Sequence, residues 1–478
     1  MKKIKVIGGG LAGPEAALQA AALGCEVALY EMRPTRSTEA HQTADFAELV
    51  CSNSLKSESE NTAPWLLKQE MRRAGSILLA EADASAVPAG HALAVDRVEF
   101  SRRIAARISA AGSGETGRIT IHREEVTALN PDAPDTLTIL ATGPLTSPAL
   151  AAELQRLTGS NHLAFYDSIS PIVDAATIDM DRVFFAARYQ KGTADYINCP
   201  FTKEEYERFL DALTTAESVP VKPWEQLPSH KITGAPSMTA SSSWVGSTNP
   251  SPTPKKPHYF EGCLPIEETA RRGRDTLRFG PMKPIGLTDP RTGRWPYAVV
   301  QLRQENLRAD SYNLVGFQNH LKFGEQARVL RLIPGLENAS FLRYGQIHRN
   351  TYIDAPALLT ETLQLRAHPS ILIAGQLSGV EGYTESIASG LLAGRYAAAL
   401  ARGIQPTPAP RASANGSLSH YITHAEGKRF QPANITFDLL PPLEDDLRRR
   451  IRDKKERHRI QCDRALAAWD QWLAELAD

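Results

Sequence analysis

Apolar and polar positions come in blocks along this chain, and the first block is the most informative. Ile4 to Ile7 is apolar except for Lys5, which predicts a buried strand over 4–8. Gly8-Gly9-Gly10-Leu11-Ala12-Gly13 follows, then an Ala-rich stretch predicted as a helix near 14–23. A second strand near 26–31, Val27-Ala28-Leu29-Tyr30, ends on Glu31. Thr136–Leu140 reads as another apolar strand, ending in Ala141-Thr142-Gly143. Much later, Ser370–Ile373 breaks at Ala374-Gly375-Gln376 and enters a small-residue helix running to about Arg402. Short, nearly continuous apolar runs are what a sheet covered on both faces requires.

A strand, a glycine turn, a helix and a second strand ending on an acid is the arrangement that a dinucleotide needs. Gly8 allows the tight turn, Gly10 lets backbone approach a pyrophosphate, and Gly13 lets the helix pack against the sheet; Gly9, Leu11 and Ala12 complete the loop. The helix start supplies N–H groups and partial positive charge. Glu31, twenty-three residues past Gly8, can accept from ribose hydroxyls. Gly143 marks a turn of a kind often found beneath such a cofactor, although Ala-Thr-Gly alone is common. The late turn, with Gly375, Gln376 and Glu385, is expected to face a flavin's ring end or ribityl chain. Two glycine turns near opposite ends of the chain predict one sheet built from both.

The expected architecture is therefore α/β: a Rossmann-like FAD-binding domain from both chain ends (1–165 and 320–402), an inserted α/β domain (166–319), and a linker with a basic helical tail (403–478). Residues 234–254 hold six Ser, four Pro, three Thr and two Gly, a composition that cannot bury a core and predicts a surface loop. Leu443 to Leu473 is predicted helical, and Arg448–Arg459 carries eight Lys or Arg in twelve residues. An exposed charged helix explains such a run as well as a nucleic-acid contact does.

With 478 residues, two or three domains are expected. No apolar run reaches membrane-span length, and the chain enters a core strand at once, which argues against a secretory or transit segment and for a cytoplasmic protein. Lys and Arg balance Asp and Glu at 54 each, so any nucleic-acid binding must come from local patches. Five scattered cysteines without a CxxC exclude a disulfide framework and give no zinc-site spacing. Cys51 lies among Ser52, Asn53, Ser54 and Lys56, groups that favour a thiolate. Cys263 precedes the basic segment Arg271-Arg272-Gly273-Arg274. A free cysteine is nonetheless more often a small core residue than a nucleophile. Aromatic and basic residues interleave at Arg278–Pro284, His320–Gln326 and Arg343–Tyr352, where rings can stack on flat heterocycles and cations can meet phosphate or carboxylate.

Gly8–Gly13, Val50–Ser57, Phe260–Glu267, Phe279–Leu287, Gly316–Gln326, Arg343–Pro356 and Ala374–Gly390 occur in this order. Together they resemble the folate- and FAD-dependent tRNA (uracil-5-)-methyltransferase family over about residues 3–402, resuming weakly in the tail. The Ser/Pro-rich stretch before Tyr259 is longer than that family usually shows. The resemblance implies reductive methylation of a T-loop uridine in tRNA, with carbon from methylenetetrahydrofolate and hydride through FAD regenerated by NAD(P)H. It assigns thiol roles to Cys51 and Cys263, implies tRNA as partner, and suggests neither a membrane nor an obligate protein partner. Two other readings stand beside it: the flavoprotein class that modifies the wobble uridine of tRNA, and a small-molecule NAD(P)H-dependent flavin oxidoreductase.

Overall fold

The computed structural model describes residues 1–38, 40–113, 117–160, 163–190, 193–220, 264–426 and 430–476, without the side chains of 163–168 and 347–349. Cys263 and the Ser/Pro-rich stretch 234–254 lie outside the described residues.

A five-stranded parallel sheet forms the first unit, in the order Ile371–Ile373, Thr136–Leu140, Lys3–Ile7, Val27–Tyr30, Ile119–His122. Both chain ends contribute. The inner strands are buried on both faces, with Ile4, Val6, Leu29, Ile139, Leu372 and Ile373 fully enclosed, whereas the edge strand Ile119–His122 exposes Thr120 and Ile121. The helix Ala12–Ala22 crosses the helix Tyr383–Ala401 at very short range. A Cβ on Gly390 would lie 2.3 Å from the Ala12 carbonyl oxygen, so only glycine fits that crossing.

A six-stranded antiparallel sheet forms the second unit, ordered Phe184–Phe185, Ile197–Phe201, Ala298–Gln304, Ser311–Leu314, Ile172–Asp174, Phe341–Arg343. The helix Lys203–Thr215, opened by a Thr202–Glu205 capping box, buries Tyr206, Phe209, Leu210 and Leu213 against it. Leu321, Val329, Leu330, Ile333 and Leu336 belong to this second core. The chain thus leaves the second unit later than the boundary expected at 319/320, because the apolar face of the Phe323–Leu330 helix is buried there. An antiparallel pair, Leu163–Ser168 with Ile347–Tyr352, joins the two units.

The tail differs from the single helix expected over Leu443–Leu473. It consists of Asp445–Arg450 and Lys454–Glu475, separated where Asp453 caps the second helix by accepting the Lys455 N–H at 3.0 Å. One face of the long helix docks into the first core through Cys462, Ala465, Trp469 and Trp472. The Trp469 indole donates to the Glu70 carbonyl at 2.7 Å. Of the basic run, Arg459 is paired with Glu456 and Asp463, whereas Arg448, Arg449 and Arg450 are exposed. No described helix is long and apolar enough to cross a membrane.

Candidate active site

A cleft lies past the C-terminal ends of the Lys3–Ile7 and Val27–Tyr30 strands, the usual ligand position on an open parallel sheet. Gly8, Gly9, Gly10, Leu11 and Ala12 form one wall. Gly8 has φ +116°, and a Cβ there would fall 2.3 Å from the Ala141 oxygen. Gly13 lies behind the loop, where a Cβ would meet the Gly8 oxygen at 1.8 Å. Gly10 faces open space. The first helix has no side-chain cap at Leu11, so its leading N–H groups remain available to a ligand.

Glu31 lines the cleft but is already engaged. It accepts the Gly9 N–H at 2.7 Å and, on its other oxygen, the backbone N–H and Nε–H of Arg33, both at 2.9 Å. Burial alone would raise this carboxyl; the Arg33 hydrogen bonds and charge, with Gly9, hold it below the usual range. The ionised Glu31 therefore fixes the glycine loop and retains lone pairs facing the cleft.

Gly143 (φ +64°) and Gly375 (φ +70°) also line the cleft, as does Gln376. The Gly375 N–H is held by the Ser389 hydroxyl at 2.8 Å. Glu385 is placed differently from expectation. It is fully buried and is not among the cleft-lining residues; it accepts from the Lys56 ammonium at 2.7 Å and from the Ile435 N–H at 3.1 Å. A buried carboxylate in the helix's first turn is paired with the half-buried Lys56 ammonium, so Glu385 anchors the Lys56 segment.

Cys51 follows Val50, a cleft residue, and is partly exposed. The Tyr383 hydroxyl, itself in the cleft wall, accepts the N–H of Cys51 at 2.7 Å and of Ser52 at 3.1 Å. Burial, reinforced by the Cys51 charge, pushes the Tyr383 phenol up, so it stays protonated. Arg97 reaches the Leu49 and Cys51 carbonyls and pairs with Glu305. Arg343 lies within electrostatic reach of both Cys51 and Tyr383. From the second unit, Arg303 donates to Ser52 Oγ at 2.8 Å and Asn53 Oδ1 at 2.9 Å. The cysteine turn is thus clamped between the units, with two guanidinium groups at hand to stabilise a thiolate. The other described cysteines are buried, and burial raises their thiols, Cys462 to about 12.

Sequence reasoning missed Tyr383, Arg97, Arg303 and Arg343 as members of this site. Tyr383 and Arg343 sit inside segments that it singled out; nothing local marks Arg97 or Arg303. Away from the cleft, Glu361, His420 and His424 bring one carboxylate and two imidazoles within 4.8 Å.

The family described as glucose inhibited division protein A matches residues 3–241 and 249–405, breaking within the Ser/Pro-rich stretch. The chain is 64% identical over 472 residues to the methylenetetrahydrofolate–tRNA-(uracil-5-)-methyltransferase TrmFO of Koribacter versatilis, covering 99% of this chain and 98% of that protein. The protein of the same name from Solibacter usitatus is 59% identical, with 98% of each chain covered. Among solved structures, GidA of Aquifex aeolicus superposes with a TM-score of 0.67 at 16% identity, covering 99% of this chain and 74% of that one, a likeness of fold. With its glycine cradle, its clamped cysteine and full-length identity of this order, the chain belongs to the methylenetetrahydrofolate–tRNA-(uracil-5-)-methyltransferase family.

Proposed function

We propose that this methyltransferase builds 5-methyluridine in the T-loop of tRNA, taking its carbon from methylenetetrahydrofolate and its reducing equivalents from NAD(P)H through FAD. The observation that carries the reading is the shared wall of the cleft and the cysteine turn: Tyr383 lines the one and holds the other. The cradle suits a dinucleotide, since Gly10 leaves room for a pyrophosphate and the uncapped helix start offers N–H donors. Gly8–Ala12, Gly143, Gly375 and Gln376 would hold FAD. Held there in its reduced form, FAD would supply the hydride needed to take a formaldehyde-level carbon to methyl.

The residues' own part begins with uracil, whose C5 is a poor nucleophile. The Cys51 thiolate adds to C6, and the displaced electron pair makes C5 enolate-like, able to form the new bond to the folate's methylene carbon. Arg97 and Arg343 favour the thiolate, while Tyr383 holds its backbone N–H and Arg303 the side chains of the next two residues. Cys263 assists as acid/base or as an alternative nucleophile. Loss of the C5 proton expels the folate nitrogen, with its electron pair, from the new methylene; the hydride that bound reduced FAD would supply makes that carbon methyl, and release of the thiolate from C6 restores the base. The test is methylation of unmodified tRNA transcript with methylenetetrahydrofolate labelled in the transferred carbon, FAD and NADPH, without S-adenosylmethionine. Label in 5-methyluridine that disappears when folate is omitted supports the reading. NADPH oxidation with unlabelled RNA overturns it in favour of the wobble-uridine class or a small-molecule oxidoreductase.

A further inference from the structure

The helix Ala414–His424 carries His420 and His424 four positions apart, so both imidazoles leave the same face near its last turn. Their rings stack, with centroids 4.2 Å apart. Glu361, from a distant part of the sequence, completes the group. Its Oε1 lies 3.1 Å from Nδ1 of His420 and 3.7 Å from Nδ1 of His424. Two donors on one tetrahedral zinc ion, each at about 2.0–2.1 Å, stand about 3.3 Å apart, and the two observed separations bracket that value.

Packing fixes both sides of the group. Leu418 and Ile422 seat the helix in the first core, and buried Glu70 accepts the N–H groups of Ala414 and Asn415 at its start. Glu361 stands in the turn between the core residues Leu359 and Leu365, whose backbones bridge each other. The Thr360 N–H donates to the Gln364 carbonyl at 2.9 Å and closes that turn. Donors held by separately anchored elements lose little freedom when a cation joins them. The three side chains are between 37% and 47% exposed, so an ion reaches them from solvent. Among the described residues the two imidazoles are the ion-pair partners of Glu361; Arg411 feels its charge but donates to Ser417.

We propose that Glu361, His420 and His424 form a site for a divalent transition-metal ion, zinc above all, which staples the Ala414–His424 helix to the turn at Glu361. Two imidazoles and one carboxylate suit zinc, cobalt, nickel or copper, whereas magnesium and calcium require oxygen ligands. Three protein ligands leave a fourth position to water. The His-x-x-x-His spacing puts both rings on one helix face, as in helical zinc sites, but here Tyr421, Ile422 and Thr423 stand between them and none is a general base. The ion's part is therefore structural, apart from the methylation chemistry in the cleft.

The full, untagged chain is stripped of metal with EDTA, desalted and titrated calorimetrically with zinc chloride, beside His424→Ala and Glu361→Gln. Cobalt(II) chloride is the spectroscopic probe, since its visible bands report four-coordination and its charge-transfer bands report thiolate ligands. Wild type is expected to take up one equivalent of zinc with a raised melting temperature, and to give a four-coordinate cobalt spectrum without thiolate bands. Each variant is expected to bind zinc at least about tenfold more weakly and to lose the thermal shift, while its metal-free melting point stays that of wild type. Magnesium and calcium chloride should leave the wild-type melting point unmoved. Wild-type zinc affinity in either variant overturns the proposal, and thiolate bands in that case place the ion at a cysteine. A wild-type chain that takes up no zinc overturns it too. Both substitutions fall on half-exposed side chains outside the cores; should one variant fail to fold, the other carries the same comparison.

Discussion

The hydroxyl of Tyr383 accepts the N–H of Cys51 at 2.7 Å across 332 positions of sequence. One phenol thereby belongs both to the wall of the dinucleotide cleft and to the support of the cysteine turn. Tyr383→Phe keeps the ring and removes the acceptor of two N–H groups. Methyl transfer is expected to fall about 10- to 100-fold with flavin content retained, as when a support of a reacting group is lost. Unchanged turnover would show that the Cys51 turn holds its shape without the phenol.

Cys51→Ala should abolish label transfer to uridine and leave FAD binding intact. Under native conditions Cys51 should alkylate faster than Cys25, Cys199 and Cys462, all of which are buried with raised thiol pKa values. Peptide mass spectrometry after brief iodoacetamide treatment reads this directly. Equal labelling of a buried cysteine would remove the reactivity argument.

Arg303→Ala should lower methyl transfer more than it lowers FAD affinity, because its guanidinium meets Ser52 and Asn53 but lines no part of the cleft. Arg303→Lys should not rescue it, since a single ammonium cannot reproduce the two-pronged contact. The comparison of kcat with flavin Kd decides it.

Gly13→Ala should cost the FAD site outright. The added Cβ would lie 1.8 Å from the Gly8 oxygen, a clash with backbone that cannot yield without moving the loop. A destabilisation above about 3 kcal/mol is expected, with loss of bound flavin. Near-normal melting and normal flavin content would contradict the packing described here.

Stability should fall as pH rises from about 4.5 to 7. Burial pushes Glu15, Glu70 and Glu267 each up to about 7 from 4.5. In that window the folded chain holds protons that the unfolded chain has released, so their contribution is complete below the unfolded value and is lost through the folded one. Each fully shifted carboxyl accounts for about 3 kcal/mol across the window. Glu70→Gln should flatten the slope by one group; urea midpoints at several pH values measure it. A midpoint that rises with pH would reverse the assignment.

Much of the first unit was legible because its signals are local. A glycine that must take φ +116°, or one whose added Cβ would meet a carbonyl oxygen at 1.8 Å, can be recognised from its neighbours in sequence. The tail misled for the opposite reason. Its helical periodicity continues past Ile451, yet the first helix stops at Arg450, where Ile451 turns extended; Asp453 caps the next, and two buried tryptophans bind that helix to a distant core. Glu385 was expected in the cofactor turn; its pairing with Lys56 joins positions 329 residues apart, which no local pattern signals.

By itself the sequence determined the residues that backbone geometry demands: the Gly8–Gly13 loop, the late turn at Gly375, the apolar strands of the parallel sheet, and Cys51 among polar neighbours. Only the tertiary structure decided which side chains serve that cysteine. Tyr383 from the last sheet helix, Arg97 after a short strand, Arg303 from the second sheet and Arg343 at that sheet's edge converge on one turn. Hydrogen bonds over hundreds of residues leave no periodicity in the chain, because they depend on how two separately cored units dock and not on any local run of amino acids.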